Sequence, residues 1–224
     1  MRSSSLFAAA VLMLALSVPA AAADIGFGDD LHAAGWRDLT FRNYAATQYR
    51  AEDGGLSILA EQSSSMLYRQ LARENLSPRR ARWSWRVDEG VGPTDLTKKG
   101  GDDAPAALYF VFADEKTAER LAVEAPSMLR ILGARKATTL VYVFGGAETG
   151  PLKSPYLAGR SQSIVLRTAM SARGEWFSED VDLAADHARA FGAPPARLIA
   201  VAVSSDSDDT GGRNVVFVRD LAVE

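Results

Sequence analysis

The chain has 224 residues, 25 basic against 28 acidic side chains, a formal charge of −3, 47% hydrophobic residues and no cysteine. That length suits one hydrophobic core, and the slightly acidic balance gives no electrostatic footprint for nucleic acid, which is therefore not expected as a partner. The missing cysteine excludes disulfides, thiolate catalysis, a lipid-attachment thiol and every cysteine-based zinc site.

Residues 1–23 read as a secretory signal. Arg2 gives a basic start, an apolar run extends from Leu6 to Val18, and Ala21 and Ala23 place small residues ahead of an expected cleavage before Asp24. The run is short for a bilayer-spanning helix and no later stretch is long enough, so no transmembrane anchor is expected after cleavage. Cleavage would leave residues 24–224 as one domain in which Arg2 is lost from the 25 basic residues, for a charge of about −4. A periplasmic or secreted protein is expected.

After that segment, Gly, Pro, Asp and Ser recur at short intervals, as in a chain of strands joined by turns. Gly55–Gln62 and Ser65–Leu71 read as two strands paired across a Ser63-Ser64-Ser65 turn. In Arg82–Asp88 strict alternation puts Trp83, Trp85 and Val87 on one face and Arg82, Ser84 and Arg86 on the other. Ala106–Asp114 and Thr138–Gly145 are apolar on both faces, as buried central strands are. Ser161–Met170, Gly174–Leu183, Arg197–Ser205 and Asn214–Val223 complete a set of about eight or nine strands, enough for a two-layer sandwich.

Two segments break the pattern. Asp114 offers an N-cap to a short helix that stops near Pro126, and Asp182 offers one to a helix that ends at Gly192 ahead of Pro194 and Pro195. The helices needed for a doubly wound α/β fold are missing. The expected fold is therefore mainly β: a single antiparallel β-sandwich of jelly-roll type with two short helices in its connections.

Familiar catalytic spacings fail. Gly26 and Gly28 start a dinucleotide fingerprint, but Leu31 stands where the third glycine belongs. There is no phosphate-binding loop, no H-E-x-x-H and no G-x-S-x-G, and neither His32 nor His187 has neighbours that recommend it as a catalytic base. The run from Asp206 matches the first half of an EF-hand loop, but the position that needs a bidentate Glu is Phe217.

What remains is a pair of acidic turns, Asp102-Asp103 and Asp206–Asp209. Both precede apolar strands, so both are expected at one rim of the sandwich, with Asp103 and Asp208 pointing inward and Lys99 or Arg213 as compensating charge. Asx-type turns are the plainest reading of such residues. Converging carboxylates also raise each other's pKa unless a cation binds, and Asp103, Asp206 and Asp208 offer oxygen ligands that suit calcium better than zinc. Trp36, Trp83, Trp85, Trp176, Tyr109 and Tyr142 are candidates for stacking on a sugar ring, although Trp83 and Trp85 share a face with Val87 and at least one of them is expected in the core. The candidate ligand contacts are thus Asp102, Asp103, Asp206, Asp208, Trp85 and Lys99.

Five stretches together carry a resemblance: "WSWRV" (83–87), "GGDDAPAALYFVF" (100–112), "YVFG" (142–145), "GEWFSEDVDLAADHARAFGAPP" (174–195) and "VSSDSDDT" (203–210). In that order they resemble an exported bacterial family known as domain of unknown function 3047, which has no established activity. Phe144 and Asp209 depart from its pattern, where Trp and Asn are expected. The order of "LAEQSSSMLYRQL", "WSWRV" and "VFVRDLAVE" is also similar to the galactose-binding-like sandwiches of carbohydrate-binding modules. The family resemblance implies little about activity. Together with the absent catalytic spacings and the export signal, the sandwich resemblance points to an exported, non-catalytic binding module of unknown ligand, with a carbohydrate or another cell-envelope component as the candidates. The alternatives are an envelope glycan hydrolase or lyase working through paired aspartates, and a purely structural envelope protein.

Overall fold

The computed structural model describes residues 22–124 and 126–224, so the expected signal segment falls, apart from its last two residues, outside the described residues. In chain order the elements are β1 (Ala23–Asp24), β2 (Trp36–Thr40), β3 (Gln48–Glu52), β4 (Gly55–Glu61), β5 (Ser65–Gln70), β6 (Arg80–Glu89) and β7 (Ala106–Ala113). Then come α1 (Glu115–Glu124), α2 (Met128–Gly133), β8 (Thr138–Phe144), β9 (Gly150–Lys153), β10 (Ser161–Arg167), β11 (Trp176–Asp182), α3 (Leu183–Phe191), β12 (Arg197–Ser204) and β13 (Arg213–Val223). One sheet has the order β11-β6-β13-β4-β3 with β1 against β13, and the other the order β2-β5-β12-β7-β8-β10-β9. The protein is a two-sheet β-sandwich.

The alternation of β6 is the clearest cause of this packing. Ala81, Trp83, Trp85 and Val87 all face inward and are at most 1% exposed, as the two-residue period of a half-buried strand requires. Trp83 meets Phe110 and Tyr142 of the facing sheet at ring-centroid distances of 5.9 and 5.4 Å, and Trp85 meets Phe144 edge-on at 5.6 Å. Aromatic side chains of this size dominate the burial that holds two sheets together. Trp85 also donates its Nε1–H to Glu179 Oε1 at 2.9 Å. It has neither an exposed face nor a free donor, so its expected role as a ligand contact is corrected: it is a core residue.

Both helix starts behave as their caps dictate. Asp114 accepts from Thr117 N at 2.9 Å and Asp182 from Ala185 N at 2.8 Å, and Gly192 closes α3 at φ 84°. A third helix, α2, lies in the connection beyond Pro126, where no periodicity announced it. Strands β2, β3 and β9 were likewise not legible, being short or largely exposed on one side.

Two connections differ from expectation. The strands flanking Ser63 and Ser64 do not pair: β4 lies between β3 and β13, while β5 lies between β2 and β12 in the other sheet. Gln62, at φ 47°, turns the corner, and the serines become the crossing between layers. Further along, β9 leaves one place vacant beside β8 and β10 returns to fill it, so β10 runs parallel to β8 and antiparallel to β9. Among the described strands, β8 and β10 thus form one parallel pair in an otherwise antiparallel arrangement.

The outer face of the β7/β8/β12 sheet has two halves. At one end α1 and α2 cover it, burying Leu121, Met128 and Ile131 with Val111, Ala200 and Ala202. At the other end no α-helix among the described residues packs on Ala107, Val141 and Val143. That uncovered half is where the acidic loops stand.

Candidate functional site

The floor of the site follows from the two-residue period of three neighbouring strands: Ala107 and Tyr109 from β7, Thr139, Val141 and Val143 from β8, and Ser161 and Ser163 from β10. These are mostly small side chains, and they leave a cleft of about 450 Å³. Loops form its walls. The loop before β7 brings Asp102 and Asp103, the loop after β12 brings Asp206, Asp208 and Asp209, the segment after β9 brings Tyr156, and the β2–β3 connection brings Phe41 and Tyr44. Tyr44 is 52% and Tyr156 43% exposed, two of the few large hydrophobic side chains left open to solvent.

The two acidic turns are neighbours, as expected, but for a different reason. Asp102-Asp103 precedes β7 and Asp206 follows β12, and β7 and β12 pair antiparallel, so the start of one strand lies beside the end of the other. Strand β13, which follows the second turn, belongs to the opposite sheet. The turns are laced directly: Asp206 N donates to Ala104 O at 3.1 Å, Asp209 N and Thr210 N donate to Asp103 at 3.3 and 2.8 Å, and Thr210 Oγ1 donates to it at 2.6 Å. Asp103, 1% exposed, is satisfied by these donors and holds the second loop in shape.

Beneath the loops lies a buried polar cluster. Asn214, fully buried, accepts from Val91 N at 2.8 Å and donates to Ser205 Oγ and Asp206 O at 3.1 and 2.9 Å. Thr47 Oγ1 donates to Ser205 O at 3.0 Å, and Ser63 N donates to Ser207 Oγ at 3.3 Å. These bonds tie the crossing between sheets to the loop that carries Asp206, so the acidic rim rests on a rigid base.

Asp206 is the most perturbed carboxyl of the cleft. Burial, reinforced by the charges of Asp208, Asp103 and Asp102, pushes its pKa up to about 7 against the opposing pull of the Ser64 hydroxyl bonded at 2.8 Å. Asp208 and Asp209 are raised as well, first by burial and then by neighbouring carboxylates. Ser204 Oγ lies 3.5 Å from Asp206 and 3.2 Å from the Tyr109 hydroxyl, whose own pKa is raised by burial and by the Asp206 charge.

Among the described residues, neither expected compensating cation forms an ion pair with a carboxylate of the cleft. Arg213 pairs with Glu89, and Lys99 places its Nζ 5.1 Å from the centroid of the Tyr156 ring, while the Tyr156 hydroxyl donates to Asp102 Oδ1 at 3.1 Å. The expected cation-ligand trio is also corrected. Carboxylate oxygens of Asp103, Asp208 and Asp209 lie within 4.8 Å of one another, with Asp209 in the place expected for Asp206. Calcium would need six to eight oxygens, of which this trio supplies a minority, and Asp103 already accepts three bonds.

Of the six aromatic candidates, Tyr109 alone lines the cleft. Trp36, Trp83, Trp85 and Tyr142 are buried, and Trp176 stacks under Arg86 and Arg219 on the other sheet. Tyr44 and Tyr156 were missed. For Tyr156 the usable signal was an aromatic residue inside a loop of Ser, Pro and Gly (154–159), a place where a large ring has little core to join; the sequence around Tyr44 carries no such mark.

The profile of a family described as protein of unknown function (DUF3047) matches residues 34–222. The chain belongs to that family. No curated protein matches the sequence. Among solved structures, the family 11 carbohydrate-binding module of a Clostridium thermocellum cellulosomal cellulase is similar at 6% identity and a TM-score of 0.43, over 92% of this chain and 95% of that one. A mutant family 29 carbohydrate-binding module is similar at 10% identity and a TM-score of 0.37, over 92% of each chain. A cellulase derived from Rhodothermus marinus Cel12A is similar at 12% identity and a TM-score of 0.40, over 91% of this chain and 99% of that one. Likenesses this distant, spread over binding modules and an enzyme, assign no function, and the cleft has to be read on its own chemistry.

Proposed function

We propose that this protein is an exported, non-catalytic module that binds a carbohydrate in the cleft beside Asp206. One observation carries the reading: two exposed tyrosines, Tyr44 and Tyr156, stand at the walls of a cleft otherwise rimmed by carboxylates and floored by small side chains. A sugar ring has a C–H face that packs on an aromatic ring and hydroxyls that donate to carboxylates, so both halves of that wall have a use. The cleft volume falls within the ~300–1,000 Å³ range of small-ligand sites.

Calorimetric titration with a panel of envelope and plant oligosaccharides, on wild type and on Tyr156→Ala, tests this. Saturable binding weakened by the substitution supports the reading, and no binding by any glycan would leave the structural-protein alternative in its place. Export is tested separately, by fractionation and N-terminal sequencing of the mature chain.

A hydrolase or lyase is the second reading, favoured by Asp206 alone. A carboxyl with a pKa near neutrality beside other carboxylates is what a general acid of a glycosidase requires. Release of reducing ends from an envelope polysaccharide, abolished by Asp206→Asn with binding retained, would decide for it.

A further inference from the structure

Among the described residues, no Lys, Arg or His forms an ion pair with Asp102, Asp103, Asp206, Asp208 or Asp209. The nearby bases are engaged otherwise: Lys98 with Asp95, Arg213 with Glu89, Arg160 with the carbonyls of Leu132, Ala134 and Ala137, and Lys99 with the Tyr156 ring, its Nζ 5.1 Å from the centroid. Asp103 spends its acceptors on the donors of the second loop, but Asp206, Asp208 and Asp209 line the cavity with few donors of their own. Like charges held together in a partly desolvated wall are costly, and the cost is relieved by whatever positive group the ligand brings.

We propose that the ligand of this cleft is an amino sugar whose protonated amine sits between Asp208 and Asp209, whose carboxylates converge, while its ring packs against Tyr156. This rests on the carbohydrate reading above and narrows it to one class. An ammonium brings three N–H donors to acceptor-only carboxylates, whereas a neutral hydroxyl brings one and leaves the charge uncompensated. Tyr156 is suited to hold the ring because its hydroxyl is fixed on Asp102, which orients the aromatic face. A divalent cation fits less well, since Asp103, the most buried member of the acidic trio, already spends its acceptors on the loop. Anionic sugars are excluded by the same unpaired charge.

The test is titration calorimetry just below neutral pH with three probes of equal length: oligomers of β-1,4-linked glucosamine, the same oligomers fully N-acetylated, and neutral cello-oligosaccharides. The glucosamine oligomers are expected to bind about ten- to a hundredfold more tightly than either neutral series, as loss of a charge-assisted bond implies. The preference should shrink as salt is raised. Asp208→Asn, and Asp208→Asn with Asp209→Asn, should erase the preference, whereas Tyr156→Ala should weaken all three probes. Melting curves confirm that each variant is folded, and the single substitution serves if the double one is not. Equal affinity for the neutral series would overturn the amine inference and leave carbohydrate binding standing. Binding of no probe, in a protein shown to be folded, would overturn this inference, while the wider oligosaccharide panel decides the carbohydrate reading. Neutral-sugar binding that requires Ca²⁺ and is abolished by EDTA would show that the carboxylates serve a cation, and would overturn it as well.

Discussion

Replacing Asp206 by Asn removes a charge without changing shape, and the pH dependence of stability then reports how that carboxyl is held. In the folded protein its pKa is pushed from the ordinary 3.8 up to about 7, by burial first and by Asp208, Asp103 and Asp102 after that. A carboxyl whose folded pKa is raised binds its proton more tightly when folded, so it destabilises the fold progressively as pH climbs from about 4 to about 7 and by a constant amount above that. At about 1.4 kcal/mol per pH unit the full effect is on the order of 4 kcal/mol, an upper figure because the neighbouring carboxylates relax together. Asn keeps an acceptor for the Ser64 hydroxyl and carries no charge. Asp206→Asn is therefore expected to match wild type near pH 4, to exceed it by roughly 2–4 kcal/mol at pH 8, and to melt roughly 5–15 °C higher there. Urea unfolding of both proteins across this pH range is the assay. If the two curves stay parallel, or if the variant is the less stable one at pH 8, the argument that Asp206 is held in a desolvated, like-charged wall is wrong.

Other substitutions separate scaffold from site. Asp103→Ala strips the partner from Asp209 N, Thr210 N and the Thr210 hydroxyl, so it should cost about 2–4 kcal/mol in denaturant unfolding and weaken ligand binding by loosening the loop. Asn214→Ala leaves Val91 N and Ser205 without their partner and should cost a similar ~2–4 kcal/mol, with hydrogen exchange of the 205–212 loop accelerated. Trp85→Ala should lower stability by about 3–5 kcal/mol while leaving affinity per folded molecule unchanged, and an affinity loss at full folding would contradict its assignment to the core. Tyr44→Ala should leave the melting temperature within about 1 °C of wild type, since the ring is largely exposed, and should reduce oligosaccharide binding measured by calorimetry.

Much of the scaffold is written locally. Alternation in Arg82–Asp88 specifies which side of a strand is buried, and Asp114, Asp182 and Gly192 mark helix ends through hydrogen bonds and a left-handed φ that involve residues a few positions apart. The acidic turns were also legible as acidic turns, and so was their shared rim. Their contact partner was not, because it depends on β12 pairing with β7, a choice made between segments about ninety residues apart. The same is true of the crossing at Ser63 and Ser64: a polar turn between two apolar runs is equally compatible with a hairpin and with a passage between layers, and the buried hydrogen bonds of Thr47, Ser205 and Ser207 decide for the passage.

The sequence by itself determined a cysteine-free β-sandwich with an acidic rim, because strand period, caps and turn residues are short-range physics. Only the tertiary structure decided which residues face a ligand. Trp85, suggestive in the sequence, is enclosed because its strand lies mid-sheet against Phe144, while Tyr44 and Tyr156, unremarkable in theirs, stand open because α1 and α2 cover just one end of the sheet beneath them. A cleft is made by what the chain fails to cover, and that depends on the placement of every element around it.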